Sequence, residues 1–353
     1  TNHVPVIVPV DSKLEVTDPL FDTPVPERAV MAVMTSGTTG IPKILFRSFE
    51  SWADFFPVQN EVFGVDADSR LFVQGSLAFT GNLNLYMAQL AAGGTLIAED
   101  VFLPGKWEQV MARERANGIY LIPSKLLMLP RVFKSVNANI RTIISGSQSL
   151  GRNDAEVLKK IFPNTEITLY YGASELNYIT YVKSADMTEE RNLIGKPFPG
   201  VRVFIQDDEM YVDNAFHVEN ITVPYSLRDS GRMDAQGNFY FLGRTDDIVG
   251  VRGRKVSMMK IENALEEVAG ITEASVVLLP KEKDADMPAE IVSAFVTVEG
   301  TDVPENLRQQ LKEKLAGFEI PKRVIVLEAF PKNTSGKVDK ARLKKMWIEQ
   351  EPQ

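Results

Sequence analysis

One short stretch near the amino end of the sequence indicates the fold most strongly, and it reads Thr35-Ser36-Gly37-Thr38-Thr39-Gly40-Ile41-Pro42-Lys43. It follows directly on the apolar run Val30–Met34, which predicts a strand. Hydroxyl side chains and flexible glycines in a loop after a strand can surround phosphate oxygens with N–H and O–H donors, and Lys43 adds a positive charge. The stretch therefore predicts a phosphate-binding loop.

This loop differs from the P-loop of nucleoside triphosphatases. That motif requires G-x-x-x-x-G-K-[ST], whereas Pro42 precedes Lys43 here and no Ser or Thr follows it. A phosphate-loop ATPase that releases ADP is therefore disfavoured. Taken alone, a segment rich in Thr and Gly is also compatible with a flexible turn, so the interpretation depends on the rest of the chain.

Short apolar runs alternate with amphipathic stretches from about residue 28 to residue 171. Besides 30–34, the predicted strands are 71–74, 95–98, 119–122, 142–145 and 166–170. Between them, the i, i+3, i+4 spacing predicts helices with one buried face each, formed by Leu83, Tyr86, Met87 and Leu90 in one helix and by Trp107, Val110 and Met111 in another. This alternation predicts an α/β fold with a mostly parallel sheet and flanking helices.

The pattern changes after residue 193. Short β-type runs separated by polar turns predict a small antiparallel or barrel-like subdomain at about residues 193–245. A separate small α+β domain is predicted for residues 246–353, with residues 1–245 as the core domain. In this second domain, Met258, Ile261, Leu265 and Val268 predict the buried face of one helix, and Leu307, Leu311 and Leu315 that of another.

The composition excludes several classes of protein. The chain has 353 residues, of which 44% are hydrophobic and 24% charged, as expected for a globular protein of two domains. Because there is no cysteine and only two histidines, disulfides, thiolate metal sites, iron–sulfur clusters, a cysteine nucleophile and a multi-histidine metal site are excluded or disfavoured. The net charge of −8 argues against a nucleic-acid surface.

The absence of an apolar run of about 18 residues predicts no membrane span. The first ten residues also lack the layout of a secretory signal. We therefore expect a cytoplasmic protein.

The nine-residue loop resembles the signature loop of the AMP-forming acyl-adenylate superfamily, which includes acyl-CoA ligases, aryl-acid ligases and the adenylation domains of peptide synthetases. Further segments resemble this family's motifs in the family's order. They are Ser145-Gly146-Ser147, Tyr170-Tyr171-Gly172-Ala173-Ser174-Glu175, Tyr225-Ser226-Leu227-Arg228-Asp229-Ser230-Gly231-Arg232, Gly243-Arg244-Thr245-Asp246-Asp247 and Pro331-Lys332-Asn333-Thr334-Ser335-Gly336-Lys337.

The resemblance implies a role for each motif in binding ATP and AMP. Thr35, Ser36, Gly37, Thr38, Thr39, Gly40 and Lys43 would bind phosphates, and Gly146, Ser147, Tyr171 and Gly172 would surround the adenine, with Tyr171 stacked on it. It also implies that Ser174 contacts the α-phosphate and that Glu175 helps to hold Mg²⁺, a cation that prefers hard oxygen ligands.

The later motifs carry the remaining roles that the resemblance implies. Asp229 would bind both ribose hydroxyls, although Leu227-Arg228 precedes it where the family pattern has Thr-Gly. Arg244 would bind ribose or phosphate, Asp246 would form the hinge to a mobile C-terminal domain, and the loop ending in Gly253 would meet the thiol acceptor. Lys337 would drive adenylation by bridging the substrate carboxylate and the ATP phosphate.

The pocket for the acid is predicted around Phe79, Asn82 and Asn177. Family members that activate amino acids have an Asp near the position of Thr80, which would hold the substrate ammonium. This chain lacks that acid, and an unpaired buried ammonium is unfavourable. An aryl or aliphatic acid is therefore favoured over an α-amino acid.

The resemblance implies ATP-dependent activation of a carboxylic acid as acyl-AMP with release of pyrophosphate. The acyl group would then pass to a thiol, either coenzyme A or the phosphopantetheine of an acyl carrier protein. Only 34 residues precede the signature loop, so we expect part of the family's N-terminal layer to be absent from this sequence. That shortness leaves an alternative, a non-catalytic or partner-dependent homologue that binds AMP or acyl-adenylate.

Overall fold

The protein is represented by a computed structural model that describes residues 6–7, 23–35, 43–77, 79–245, 248–251, 254–281, 290–332 and 338–349. The chain folds as two compact units. The first unit comprises Thr1–Leu227 and Arg232–Phe241, and the second comprises Arg228–Gly231 and Leu242–Gln353. The division between residues 245 and 246 that the sequence indicates stays a prediction.

The first unit combines strands and helices in alternation. Its strands are β1 Val6–Ile7, β2 Ala29–Thr35, β3 Lys43–Ser48, β4 Arg70–Gln74, β5 Thr95–Glu99, β6 Gly118–Tyr120, β7 Thr142–Gly146, β8 Glu166–Ala173, β9 Asn177–Lys183, β10 Leu193–Pro197, β11 Arg202–Gln206 and β12 Glu209–Asp213, with β13 Tyr225–Met233 and β14 Phe239–Arg244 contributing to both units. Its helices are α1 Phe49–Trp52, α2 Phe56–Phe63, α3 Thr80–Ala91, α4 Pro104–Arg113, α5 Pro123–Leu126, α6 Leu129–Val132 and α7 Arg152–Lys159.

An eleven-stranded sheet forms the centre of the fold, in the order β11-β12-β13-β14-β10-β9-β8-β7-β6-β4-β5. Strands β5, β4, β6, β7 and β8 pair in parallel, as the α/β pattern predicted. Along β4, Phe72 belongs to one apolar core while Leu71 and Val73 belong to another. Because successive strand residues point to opposite faces, the two cores lie on the two sides of the sheet.

The strands after residue 193 extend this sheet with antiparallel pairs. Strand β10 pairs with β9 on one side and with β14 on the other. The predicted antiparallel strands are therefore present, and β10 joins them to the large sheet.

The predicted buried face of α3 is partly wrong. Met87 and Leu90 are 37% and 51% exposed, whereas Asn84 and Gln89 are buried. Asn84 is hydrogen-bonded to Asn177, and Gln89 donates to the carbonyl of Ser69 at 2.7 Å. Buried amides with partners replace apolar contacts on this face, which an apolar periodicity cannot indicate.

A small sheet of β1, β2 and β3 precedes the large one in the chain order. Strand β1 runs parallel to β2, and β2 pairs antiparallel with β3. In this pairing Thr35 stands opposite Lys43. The two ends of the signature loop are therefore held side by side.

The second unit is an α+β module. Its further elements are β15 Ile248–Val251, β16 Arg254–Ser257, α8 Met258–Glu266, β17 Ile271–Pro280, β18 Glu290–Val298, α9 Leu307–Lys314, β19 Arg323–Val326 and α10 Lys340–Glu349. Strands β15 and β16 form a hairpin, and β17, β18 and β19 form a sheet. All seven apolar residues predicted for the two helix faces are buried in the unit's core, although Val268 follows the end of α8 and Leu315 follows the end of α9.

Among the helices in these described ranges, none combines the length and the apolar character needed to cross a bilayer.

Candidate active site

A polar cleft of about 540 Å³ lies in the first unit. Its walls are formed by Lys43, Leu45, Glu175, Glu219, Asn220, Ile221, Thr222 and Tyr225. Both charge signs are present, since one ammonium and two carboxylates line the same space. The cleft contains two residues that the sequence assigned to ATP and magnesium, Lys43 and Glu175.

Strand β3 supplies one wall of the cleft. Lys43 is exposed at its first position, and the following residues are buried. The opposite segment is held along this strand, because the Glu219 amide donates to the Phe46 carbonyl at 2.8 Å and the Asn220 side chain to the Ile44 carbonyl at 3.3 Å. The cleft thus lies at the end of β3 where the signature loop joins it.

A tight hairpin turn places Glu175. Strands β8 and β9 pair antiparallel as far as Ala173 and Asn177, so three residues form the turn between them. The Leu176 amide donates to the Ala173 carbonyl at 3.1 Å, and Asn177 adopts a left-handed φ of 65°. Asn tolerates this conformation better than most residues. The local sequence therefore forms a turn with Glu175 at its centre.

The backbone of this turn is hydrogen-bonded from several sides. Arg47 donates to the Ser174 carbonyl at 2.8 Å, and the Val218 amide donates to the Glu175 carbonyl at 2.9 Å. The hydroxyls of Ser174 and Thr80 are 2.9 Å apart. The Ser174 hydroxyl, which the sequence predicts to contact the α-phosphate, is therefore hydrogen-bonded to the Thr80 hydroxyl in this structure.

Charge and burial shift the pKa values of two groups near Glu175. Burial lowers the pKa of Arg47 to about 10, and the negative charge of Glu175 opposes this shift. Arginine stays protonated in proteins at neutral pH, so Arg47 is a permanent cation. Burial also raises the pKa of Tyr225, and the Glu175 charge raises it further. Tyr225 therefore stays a neutral hydroxyl at the cleft wall.

The predicted adenine segment at the end of β7 lies against Tyr170. A side-chain carbon added at Gly146 would lie 2.5 Å from the Tyr170 ring, so the close ring requires glycine. Ser147 adopts a left-handed φ of 69°. Burial raises the pKa of Tyr170 to about 12, and its hydroxyl lies 2.9 Å from that of Tyr120. Tyr170 is thus a core residue.

Tyr171, on the other face of β8, is only partly buried. Its ring lies 5.8 Å from that of Phe241. The neighbouring Gly172 faces the carbonyl of Asn177, from which an added side-chain carbon would be 2.6 Å away. Of the two adjacent tyrosines, Tyr171 is the accessible one, and its role against adenine stays a prediction.

Asp229 and Arg244 are brought together in the second unit. Their Oδ1 and Nε atoms are 3.4 Å apart, the Asp229 side chain is 3% exposed and the Arg244 side chain is 50% exposed. Arg228 has a φ of 61°, the left-handed conformation that favours glycine. Arg228 thus adopts the type of conformation that Gly permits at this position of the family pattern.

The predicted acid-pocket residues differ in exposure. Phe79 is 43% exposed just before α3, and Asn82 donates to the Ser76 carbonyl at 2.8 Å. Asn177 is buried, and its side-chain oxygen accepts from Asn84 at 2.9 Å. Phe79 and Asn82 lie near one loop, whereas Asn177 begins β9, and their contact with a substrate stays a prediction.

Several predicted residues fall outside the described ranges: Ser36, Gly37, Thr38, Thr39, Gly40, Asp246, Gly253 and Lys337. Of the residues assigned to the signature loop, Thr35 and Lys43 are described, and they stand at its two ends. On either side of the Lys337 segment, Lys332 and Val338 form an antiparallel bridge.

Sequence reasoning missed Arg47, Glu219 and Tyr225. Arg47 could have been found as a charged residue inside the apolar run of β3, because such a residue must have buried partners. Glu219 had no local signal, and Tyr225 begins the motif that contains Asp229 but had no role assigned to it. They reach the cleft only because their segments pack beside β3 and the Glu175 turn.

The fold and the cleft together define a class of protein. A parallel sheet followed by antiparallel strands, a lysine at the end of a Thr- and Gly-rich loop, a facing carboxylate and a second α+β unit are the architecture of adenylate-forming enzymes. The chain belongs to the AMP-binding enzyme family: the family model matches residues 7–215, and the model of the AMP-binding enzyme C-terminal domain matches residues 260–337. It is thus an AMP-forming ligase of the acyl-CoA synthetase type.

Known proteins similar to this chain include ligases and a solved ligase structure. An uncharacterized acyl-CoA ligase of Bacillus subtilis is 26% identical over 348 residues, which cover 93% of this chain and 70% of the relative. A 2-succinylbenzoate–CoA ligase of Listeria monocytogenes is 25% identical over 334 residues, which cover 90% of this chain and 70% of the relative. The structure of O-succinylbenzoate coenzyme A synthetase of Bacillus subtilis in complex with ATP and magnesium has a TM-score of 0.77, with 20% identity over 90% of this chain and 70% of that one.

Proposed function

We propose that this chain activates a carboxylic acid with ATP, using the cleft that contains Lys43 and Glu175, and then transfers the acyl group to a thiol. The observation that carries the proposal is the meeting of these two residues in one cleft at the end of the signature loop. A carboxylate oxygen attacks the α-phosphorus of ATP, the bond to the pyrophosphate oxygen breaks, and acyl-AMP forms. The thiol sulfur then attacks the acyl carbon and AMP leaves.

Lys43 and the loop before it are proposed to bind the nucleotide phosphates. An ammonium near phosphate oxygens lowers the repulsion that the attacking carboxylate meets. Since the carboxylate and the triphosphate are both anions, positioning and charge neutralisation supply most of the acceleration. No covalent protein nucleophile is needed, which agrees with a sequence that has no cysteine.

The cleft fits a magnesium ion bound together with ATP. Glu175 and Glu219 offer hard carboxylate oxygens, and Glu175 is the proposed ligand. Within the described residues, no group of three His, Asp or Glu side chains is arranged to hold a metal. Mg²⁺ usually keeps several waters and is bound by one or two carboxylates and substrate phosphates. When bound, the ion neutralises phosphate charge.

Lys337 is proposed as the residue that bridges the carboxylate and the ATP phosphate during adenylation. One charge contact at about 4 Å and an effective dielectric constant near 20 is worth roughly 4 kcal/mol, or about a thousandfold in rate. We propose Asp229 for the ribose hydroxyls and Arg244 for ribose or phosphate. Their pairing within the second unit supports a common role.

The thiol acceptor is proposed to be coenzyme A or the phosphopantetheine of a carrier protein. Two relatives are named as coenzyme A ligases. Other relatives are a linear gramicidin synthase subunit of Brevibacillus parabrevis and a probable non-canonical nonribosomal peptide synthetase of Salinispora arenicola. The loop ending in Gly253 is the proposed contact for the acceptor. Adding coenzyme A or a carrier protein to the assay described below identifies the acceptor.

For the acid, we propose an aryl or aliphatic carboxylic acid, because no acidic residue stands at Thr80 to hold a substrate ammonium and the Lys125 ammonium is bonded to the residue before Gly75, where Asn82 packs. Lys125, whose pKa is lowered by burial, directs its ammonium to the carbonyl and side-chain oxygens of Gln74. The chain continues from Gln74 into Gly75, against which Asn82 packs. A second ammonium close to this lysine would be repelled.

The test is ATP–pyrophosphate exchange over a panel of aryl, aliphatic and α-amino acids, with a sample lacking acid as the control. We expect exchange that depends on an aryl or aliphatic acid, and AMP as the product once a thiol is added. ADP as the product would contradict the proposal. Silence across the panel from folded protein that binds AMP would support the non-catalytic homologue instead.

A further inference from the structure

Arg47 is a buried cation in the strand that forms one wall of the cleft. Its side chain is fully buried, and it follows Lys43 and Leu45 at the two-residue spacing that places strand residues on one face. Its neighbours Ile44 and Phe46 are apolar and buried. A guanidinium in such surroundings is unfavourable unless its donors are satisfied. Its position therefore requires specific partners.

Those partners are backbone carbonyls from three separate segments. Nη1 of Arg47 donates to Ser51 at 2.9 Å and to Phe216 at 3.0 Å, and Nη2 donates to Ser174 at 2.8 Å. The planar fork of arginine supplies several donors in fixed directions. One side chain thus joins β3 and α1 to the turn that contains Glu175 and to the segment around Phe216.

The Ser174 contact orients the peptide group that leads into Glu175. On the far side of Glu175, its own carbonyl accepts from the Val218 amide at 2.9 Å. The Thr80 hydroxyl, 2.9 Å from that of Ser174, provides another anchor. Since the backbone is held before and after Glu175, its side chain is directed into the cleft, of which it forms part of the wall.

Electrostatic interactions with nearby cations also stabilise the Glu175 carboxylate at the cleft. The Glu175 carboxylate interacts favourably with the Arg47 charge. Lys43 lines the same cleft as Glu175. The surroundings of the carboxylate thus include a buried cation, Arg47, and an exposed cation, Lys43.

We propose that Arg47 is a positioning residue that holds the Glu175 carboxylate in the orientation needed to bind the magnesium ion of magnesium–ATP. The inference rests on the proposed function, since Glu175 is the metal ligand there. Arg47 itself does not touch nucleotide. It acts through the Ser174–Glu175 peptide and through its charge.

The test compares Arg47→Met, Arg47→Lys and Thr80→Val with the unchanged protein. The readout is equilibrium binding of a fluorescent ATP analogue while the Mg²⁺ concentration is varied. For Arg47→Met, we expect the Mg²⁺ concentration at half-maximal binding to rise about tenfold. This is the change in affinity that the loss of one charge-assisted hydrogen bond produces. Arg47→Lys keeps the positive charge, so the Mg²⁺ concentration at half-maximal binding should rise less than in Arg47→Met. Thr80→Val should also give a smaller rise than Arg47→Met.

Arg70→Met is the matched control. Arg70 also donates to a backbone carbonyl, that of Glu114 at 2.7 Å, but it does not line the cleft. It should lose thermal stability without changing the Mg²⁺ dependence. If Arg47→Met fails to fold, the Mg²⁺ dependence of Arg47→Lys and Thr80→Val tests the proposal. An unchanged Mg²⁺ dependence in the folded variants, or an equal change in Arg70→Met, overturns the proposal.

A double-mutant cycle with Glu175→Gln separates positioning from general destabilisation. If Arg47 acts through Glu175, its replacement adds little to the Mg²⁺ shift already caused by Glu175→Gln. Full additivity overturns the proposal. Because the readout is binding, a protein that shows no exchange with any acid can still reveal this coupling, so failure of the proposed reaction is distinguished from failure of the Arg47 role.

Discussion

Replacing Lys43 by Met removes one positive charge from the cleft and keeps a side chain of similar length. A unit charge pair at 4 Å is worth about 1 kcal/mol in bulk water and about 4 kcal/mol at an effective dielectric constant of 20. Lys43 is exposed at the start of β3, so a value between these limits applies. We expect a loss of about 2 kcal/mol in transition-state stabilisation, which is about a thirtyfold fall in kcat/KM for ATP.

The assay is ATP–pyrophosphate exchange at saturating acid, with ATP varied at low and at high salt. Because the lost interaction is electrostatic, the difference between variant and parent should shrink as salt screens the cleft. Lys43→Arg should keep most of the activity, since it keeps the charge. Lys196→Met, at an exposed lysine of β10 outside the cleft, is the control. A fall of less than threefold for Lys43→Met, or an equal fall for Lys196→Met, would refute the reasoning.

Three further outcomes are expected. Lys337→Ala should abolish adenylate formation while leaving thioester formation from preformed acyl-AMP largely intact; equal loss of both half-reactions would contradict its assigned role. Gly146→Ala, whose new carbon would lie 2.5 Å from the Tyr170 ring, should cost about 1–3 kcal/mol of unfolding free energy, measured by denaturant titration. Gly105→Ala, where the same carbon meets nothing within 4 Å, should not destabilise the protein, and similar losses in both variants would reject the packing argument. Hydrogen bonds lower the pKa of Asp234, and the bond from the Asn238 side-chain amide has the largest effect. The ionised carboxylate therefore stabilises the folded protein above the pKa that Asp234 has in the unfolded state. This contribution is lost as the pH falls through the folded-state pKa. Asp234→Ala should therefore lower Tm at pH 7, with a difference from the parent that shrinks below about pH 4; a difference that grows in acid would show the sign to be wrong.

The strands of the parallel sheet were predictable because their signal is local. Apolar runs such as 71–74 and 142–145 coincide with β4 and β7 within one residue at each end, since a strand buried on both faces needs an unbroken apolar segment. The helix faces of the second unit were equally readable. On α3 the same reasoning failed for Met87 and Leu90, because amides of that helix, hydrogen-bonded to other segments, occupy the buried face.

The candidate site was predictable only in part, for a related reason. Lys43 and Glu175 each belong to a motif of a few consecutive residues, and such motifs are visible in the sequence without their partners. Glu219 belongs to no such motif, and Tyr225 belongs to one in which the assigned residue is Asp229. Their place in the cleft follows from hydrogen bonds such as that between Glu219 and Phe46, which join segments far apart in the chain.

The sequence by itself determined the signature loop, the order of the motifs, the α/β character and the chemistry that each motif can supply, because these depend on residues adjacent in the chain. Tertiary structure alone decided which of these residues share one cleft and how they are oriented. Arg47 illustrates the difference: its sequence shows only a charge among apolar residues, whereas the fold surrounds it with carbonyls from three segments. Long-range packing brings those segments together, and packing depends on the whole chain.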